Sequence, residues 1–264
     1  MTNPPFYESA SELEALALKK ARPPLTACTG SPGEMVTAGG EVGFARRLLS
    51  ESLTLRERVG WYSTMLGKHV SLEAVVLMLR EEGIDNYAVT EFVQGTRTRR
   101  WAVAWSFGDM RPEGDVARGM GEVAWTKVLP SHTEFEIVDR KEGEPEAMGR
   151  FIDGVLRGLR MKWEWDAENL TGLGRAVENV WGRAWRRRQE RIARGDEDPP
   201  EENKEAVVAI GFRVGIVVRE EGYRVVCRWV QGRDAALAAS LVSYLKGRVE
   251  KFREREGVEM YVVE

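Results

Sequence analysis

Four residues near the start of the chain have the types and spacing to do chemistry: Asn3-Pro4-Pro5-Phe6. An exocyclic amine on a purine ring is a poor nucleophile, because its lone pair is delocalised into the ring. A carboxamide oxygen and a nearby main-chain carbonyl can each accept one of its N–H hydrogens. Held that way, the nitrogen points its lone pair at an electrophilic methyl group. Two consecutive prolines stiffen the loop and leave their carbonyls free as acceptors. Phe6 offers a face for an unpaired or flipped base, and such stacking is worth about 1–3 kcal/mol per base. The chemistry would be positioning, with no general base needed beforehand. The competing reading of the same residues is a proline-rich N-terminal tail.

A second cluster could carry polyanion binding. Arg183, Arg186, Arg187, Arg188, Arg191 and Arg194 face a single acid, Glu190. Val177, Val180, Trp181 and Trp185 are spaced as an apolar stripe on the same predicted helix, which would pack on a sheet and offer the arginines to RNA phosphates. Helix-dipole compensation at a C-terminus needs fewer cations than this. Lys246, Arg248, Lys251, Arg253 and Arg255 alternate with Glu250, Glu254 and Glu256, which reads as a salt-bridged surface.

The elements that must position these groups follow from periodicity. Residues 1–107 alternate helix and strand. A polar helix is predicted around Ser11 to Lys20, a Pro/Gly-rich loop from Arg22 to Gly40, and a helix from Glu41 to Ser52 with Phe44, Leu48 and Leu49 on one side. A buried strand follows from Val59 to Leu66, then a helix from a Ser71 N-cap to Gly83. Tyr87 to Gln94 and Trp101 to Phe107 read as a hairpin joined by an arginine-rich loop. Trp101 and Trp105 are predicted core residues. Residues 108–130, rich in glycine and charge, read as a linker, with some strand near Val123 to Leu129.

Residues 131–264 form a second alternation. It holds a strand at Phe135 to Val138, a helix from Pro145 to Leu159, and a strand from Met161 to Trp165 with Trp163 and Trp165 packing. A long helix is predicted from Glu168 to Arg194 and an acidic break over 195–205. Ala206, Val208, Ile210, Phe212, Val214, Ile216 and Val218 alternate as a half-buried strand, and so do Tyr223, Val225, Cys227 and Trp229. Asp234 is the N-cap of a last helix whose stripe is Leu237, Leu241, Tyr244, Leu245 and Val249. This half reads as an α+β sandwich, one antiparallel sheet with helices on one face.

Composition bounds the rest. The 264 residues carry 43% hydrophobic and 31% charged side chains and a net charge of −3, enough apolar mass for one or two domains. Overall charge gives no signal for nucleic acid; only local clustering does. Cys28 and Cys227 sit in no CxxC pattern, and His69 and His132 are far apart, so neither a disulfide framework nor a metal site is expected. No stretch is long enough to span a membrane.

Certain motifs occur together in order. They are Asn3-Pro4-Pro5-Phe6-Tyr7, Arg22-Pro23-Pro24, Gly39-Gly40-Glu41 with Phe44 and Arg47, Trp61-Tyr62-Ser63, and Met65-Leu66-Gly67-Lys68. Thr90-Glu91-Phe92 with Gln94-Gly95, and Arg100-Trp101-Ala102 with Ala104-Trp105-Ser106-Phe107, complete the set. It resembles the methyltransferase-10 domain family of RNA adenine N6-methyltransferases. The second half resembles the C-terminal region of the family's eukaryotic branch, a fold like kinase-associated domain 1. That match rests on Ala176, Glu178-Asn179, Trp181 and its arginine run, Val225 to Trp229, Gln231-Gly232-Arg233-Asp234 and Tyr244.

The resemblance implies an α/β chain: the C-terminal part of a Rossmann-like class I methyltransferase domain over 1–107, then an α+β RNA-binding sandwich. It implies S-adenosyl-L-methionine as cofactor and structured RNA, U6 small nuclear RNA in the eukaryotic branch, as partner, with a nuclear location. Asn3 and Pro4 would hold the target amine, Pro5 shape the loop and Phe6 stack on the adenine. Tyr7 would support the pocket, and Asn3 would also touch the cofactor. Arg22, Arg97 and Arg100 match RNA-contacting positions. One extra residue in Gly95-Thr96-Arg97-Thr98-Arg99-Arg100 leaves open whether Arg97 or Arg99 fills that role. A class I fold binds its cofactor through a glycine-rich turn and an acidic residue on earlier strands. Here only Met1 and Thr2 precede the motif, and they read as the end of its leading strand. The expectation is therefore the back portion of the enzyme, inactive alone. Two alternatives stay open: a non-catalytic RNA-binding module, and an Asn-Pro-Pro-aromatic methyltransferase acting on DNA or protein glutamine.

Overall fold

Tyr62, Thr64 and Leu66 are buried while Ser63 and Met65 between them are less so, the period-two pattern of a strand with one face in a core. This is β1 (Tyr62–Leu66) of a computed structural model that describes residues 1–5, 7–9, 11, 12, 15, 35–94, 98–119, 127–196, 198 and 207–260, with side chains at all of these but 94 and 253–260. The chain divides into two units, Met1–Ser131 and His132–Glu264.

The first unit runs α1 (Gly40–Leu55), a 3-10 turn (Arg56–Arg58), β1, α2 (His69–Glu81), β2 (Tyr87–Gln94), β3 (Thr98–Trp105), α3 (Gly114–Ala117) and β4 (Arg118–Gly119). The sheet order is β1-β3-β2-β4. Because β3 is antiparallel to both β1 and β2, those two strands run parallel and α2 makes their crossover. Trp101, Val103 and Trp105 alternate onto the same face as Tyr62 and Leu66, where α1 and α2 supply Ala45, Leu49, Leu72, Val75 and Leu79. Trp105 is fully buried, stacks on Tyr62 with ring centroids 5.9 Å apart, and donates its indole N–H to Ser52 Oγ at 3.0 Å. A buried indole needs such a partner.

The described residues of the predicted linker, 108–119 and 127–130, are instead folded onto this sheet. Asn86 Nδ2 donates to the carbonyls of Gly108 and Met110, both at 3.0 Å, and buried Arg111 pairs with Asp85 Oδ2 at 3.0 Å. β4 pairs in parallel with β2 at Val89 and Thr90. Val128 is in the core, Arg80 donates to the Leu129 carbonyl at 3.1 Å, and Arg118 bonds the Pro130 carbonyl. Glycine and charge hid this segment, because its few buried groups are bound by polar contacts that no hydrophobic period reports.

The second unit contains β5 (Glu134–Arg140), α4 (Pro145–Arg157), β6 (Lys162–Asp166), β7 (Thr171–Ala176), α5 (Arg183–Ala193), β8 (Ile210–Val218), β9 (Tyr223–Gln231) and α6 (Ala235–Met260). Its antiparallel sheet has the order β5-β9-β8-β7-β6. Ile210, Phe212, Val214 and Ile216 of β8 and Tyr223, Val225, Cys227 and Trp229 of β9 are buried with Met148, Ile152 and Leu156 of α4 and Leu241, Leu245 and Val249 of α6. Pro145 opens α4 at its first turn. Asp234 Oδ1 accepts the N–H groups of Ala236 and Leu237 at 2.8 and 3.0 Å, the expected N-cap.

The long helix expected from Glu168 to Arg194 is corrected. Thr171–Ala176 is a central strand, and helix begins only at Arg183. The reason is steric. β7 carries Gly172 and Gly174 where large rings lie across the strand: a Cβ at Gly172 would overlap the Trp163 ring, and one at Gly174 the Phe212 ring. Trp163 stacks on both Trp165 and Phe212 and donates to Asp153 Oδ1 at 2.9 Å. Glycine weakens a strand signal in sequence, yet here it makes room for the core. Replacing Gly174 by alanine should destabilise the protein by about 1–3 kcal/mol through overpacking. Urea unfolding would read this, and an unchanged midpoint would contradict the packing described.

Candidate functional site

Thr2 extends the first sheet. Its N–H donates to the Ser63 carbonyl at 2.9 Å, its carbonyl accepts the Met65 N–H at 3.1 Å, and its hydroxyl also donates to Ser63 O at 3.2 Å. The pairing is parallel and occupies the edge of β1 that β3 leaves free. Asn3, one residue on from the bridge to Thr64, therefore lies near the carboxyl end of β1, and it is exposed; Pro4 is buried and Pro5 half-buried. In open α/β sheets, ligands bind at the carboxyl ends of strands.

The far end of the loop is also tied. Tyr7 N–H donates to Met35 O at 3.1 Å, and Thr37 N–H donates to Tyr7 O at 3.0 Å. Arg47 of α1 holds that return segment, donating to Thr37 Oγ1 at 2.8 Å and to Ala38 O at 3.3 Å. Thr2 and Tyr7, on either side of the motif, are both tied by main-chain hydrogen bonds.

Behind it, buried Glu41 spans α1 and α2. Its carboxylate accepts the N–H of Gly67 at 2.6 Å and of Lys68 at 3.1 Å, capping the N-terminus of α2 from another helix. A carboxylate there satisfies orphan N–H groups and complements the helix dipole. Lys68 Nζ reaches Glu12 Oε1 at 2.8 Å. Glu12 Oε2 accepts Glu8 N–H at 2.8 Å, and Ser9 Oγ accepts Glu12 N–H at 3.1 Å. The segment following the motif is thus fastened to the β1–α2 turn. The sequence contained Glu41, Arg47 and Lys68 inside its ordered motifs, but lone charged residues give no sign that they are structural ties.

The arginine positions fare differently. Arg99 pairs with nearly buried Glu91 across the hairpin at 3.0 Å. Arg100 lies opposite exposed Phe92, and as the next residue on β3 it faces the other side of the sheet from Arg99. Phe6, Arg22 and Arg97, and also Cys28, lie outside the described residues. In the second unit, Arg183, Arg186, Arg187 and Arg188 lie on α5, the first three exposed and Arg188 half-buried. The predicted apolar stripe is corrected: Val177, Val180 and Trp181 precede α5. Trp181 is buried and donates to Ser240 Oγ at 3.1 Å, whereas Val177 is exposed. Of that stripe only Trp185 lies on the helix, packed against the core. Cys227 is buried, which pushes its thiol up to about 12 and leaves it inert.

Lys68 holds the Glu12 carboxyl below its ordinary 4.5, with the Glu8 N–H adding to the effect, and Glu12 holds Lys68 above its ordinary 10.5. The pair's contribution is complete between those two values. It fades as pH falls below 4.5 through the Glu12 titration and as pH rises above 10.5 through that of Lys68. In Lys68→Met the Glu12 carboxyl should titrate closer to 4.5 by carbon NMR; an unmoved titration would contradict the tie.

Residues 1–109 match the methyltransferase-10 family model, described as an RNA methyltransferase. The chain is 30% identical over 249 residues to the U6 small nuclear RNA (adenine-(43)-N(6))-methyltransferase of Schizosaccharomyces pombe, covering 93% of this chain and 58% of that protein. It is 28% identical over 285 residues to the RNA N(6)-adenosine-methyltransferase mettl16 of Danio rerio, covering 93% of this chain and 60% of the relative. The chain thus spans about three fifths of the length of both. A solved structure of the hMettl16 catalytic domain with the MAT2A 3'UTR hairpin 1 aligns with TM-score 0.38 and 39% identity over 46% of this chain and 41% of that one. Residues 1–109 carry the methyltransferase-10 match, and along 93% of its length the chain resembles an RNA adenine N6-methyltransferase.

Proposed function

We propose that this chain supplies the acceptor side of an S-adenosyl-L-methionine-dependent RNA adenine N6-methyltransferase, acting on structured RNA of the U6 small nuclear type and hence in the nucleus. The observation that carries the reading is the Asn3-Pro4-Pro5 segment, tied through Thr2 to β1 and through Tyr7 to Met35 and Thr37, with Asn3 exposed near the carboxyl end of β1. The names of the Schizosaccharomyces pombe and Danio rerio relatives support the acceptor.

The chemistry assigned to this chain is orientation. The Asn3 side-chain oxygen and the Pro4 carbonyl each accept one hydrogen of the adenine amine, and Pro4 and Pro5 keep both acceptors in place. Phe6 stacks on the base and Tyr7 backs the loop. The cofactor, when bound, supplies the electrophilic methyl. The described residues fit the rim of its site. Asn3 is at the strand end where a class I fold meets its cofactor, but the Gly67 and Lys68 N–H groups, which could otherwise receive an anion, are already taken by Glu41. RNA is drawn by Arg22, Arg97, Arg99 and Arg100 and by Arg183, Arg186, Arg187 and Arg188 on α5.

The test is methyl transfer from labelled S-adenosyl-L-methionine to a structured RNA bearing an unpaired adenine. Asn3→Ala should lower transfer by about a hundredfold or more, the scale of losing one positioned polar group, while RNA affinity stays within about twofold. Transfer that survives Asn3→Ala would overturn the reading; RNA binding by the parent protein without transfer would favour an RNA-binding module. A separate measurement addresses α5. Replacing Arg186 and Arg187 together by alanine should reduce the slope of log affinity against log salt by about one and a half, at roughly 0.7–0.9 per phosphate contact. An unchanged slope would remove α5 from the interface.

A further inference from the structure

Within the second unit, α5, α6 and the turn after α4 line an open groove of about 670 Å³, within the size range of small-ligand sites. Its aromatic wall is Trp181, Trp185 and Tyr244, and its cations include Arg186, Arg248 and Lys251. Trp181 is fixed by its bond to Ser240, while Trp185 and Tyr244 are half-buried and keep ring surface at the cavity they line. Arg248 is held over this wall: its Nε donates to Tyr244 Oη at 3.2 Å, and its guanidinium carbon lies 5.4 Å from the ring centroid.

Gln189 points to a ligand independently. It lines the same cavity, and its side-chain amide nitrogen is buried with no hydrogen-bond partner among the described residues. Buried amides are normally satisfied. A carboxamide carries donors and an acceptor together, the combination that reads the edge of a base.

We propose that this groove holds one unpaired nucleotide of an RNA strand, its base against Trp185 and Tyr244, its edge bonded by Gln189, and its phosphate met by Arg186, Arg248 and Lys251. This rests on the RNA reading above and goes beyond it. The arginines of α5 alone would grip the phosphates of any duplex, whereas an aromatic-walled cavity with an unmet amide admits only a base that has left its stack. Proteins that hold single strands combine aromatic platforms with cations in this way, and the bases of an A-form duplex are not available to such a pocket. Lys251 and Arg248 belong to the charge pattern on α6 that sequence alone assigned to a salt-bridged surface; among the described residues that line the groove, Glu190 is the one acid.

The full chain is titrated by fluorescence anisotropy with a labelled single-stranded RNA hexamer and with a labelled RNA duplex, and by competition with AMP and UMP. Trp185→Ala and Gln189→Leu should each weaken hexamer binding at least fivefold and change duplex binding less than twofold. Gln189→Leu keeps the side chain's size and carries the test if Trp185→Ala fails to fold. Hexamer affinity unchanged in Gln189→Leu would overturn the proposal, as would equal losses for hexamer and duplex. Mononucleotides that compete at the hexamer's own affinity would assign the groove to a free nucleotide and overturn the RNA source. Methyl transfer is scored on the same proteins. Transfer that survives Asn3→Ala while the groove variants behave as stated would sink the catalytic reading and leave this one standing.

Discussion

The pair of main-chain hydrogen bonds between Thr2 and β1 is the constraint on which the candidate site depends. A strand edge presents a row of unpaired N–H and C=O groups. On the free edge of β1, Ser63 and Met65 spend theirs on the residue immediately before the motif. That fixes the direction of approach, and parallel pairing opposite Thr64 puts Asn3 near the carboxyl end of β1. Tyr7 fixes the exit, so two clamped ends define a short proline-stiffened loop. Asn3 is positioned through main-chain bonds of its neighbour Thr2, and its side chain is exposed.

Everything behind the loop keeps β1 where it is. β3 lies between β1 and β2, and its tryptophans meet both helices: Trp105 reaches Ser52 of α1, and Trp101 meets the His69 ring of α2 edge-on at 5.6 Å. Glu41 joins α1 to the β1–α2 turn by bonding two N–H groups that would otherwise be orphans. A buried carboxylate is costly unless it is fully bonded; here it is bonded by the turn it must hold. Lys68 then carries the connection outward to Glu12 and the segment after the motif. The chain from Asn3 to core therefore runs through hydrogen bonds, while the core supplies the rigidity behind them.

The elements carrying regular apolar alternation were legible from sequence, β8 and β9 above all, and so were the α2 stripe and the Asp234 cap. What escaped has one physical cause in several forms. β7 is a strand whose glycines make room for Trp163 and Phe212, so its own residues carry little strand signal. Residues 108–119 and 127–130 are bound by Asn86, Asp85, Arg80 and Arg118, and polar ties have no period. The stripe assigned to the arginine helix mixed two elements, because Val180 and Trp181 are buried in the segment before α5 while Trp185 lies on it. The motif itself was legible by residue type, but its clamps were not: Glu41, Arg47 and Lys68 are single charged residues whose partners are distant in sequence. Gln189 was invisible because a lone neutral amide carries no periodic or charge signal.

The claim that this pairing seats the motif can be read at one atom. Met65 N–H points away from β3, and its acceptor is the Thr2 carbonyl. Amide hydrogen exchange at Met65 is therefore the most direct measurement. Exchange should be slowed by roughly a hundredfold or more relative to an unstructured amide, as for bonded strand amides whose opening costs several kcal/mol. Exchange at the rate of an open edge, with neighbouring β3 amides still protected, would mean that Thr2 does not pair with β1 and that the loop holding Asn3 is not seated.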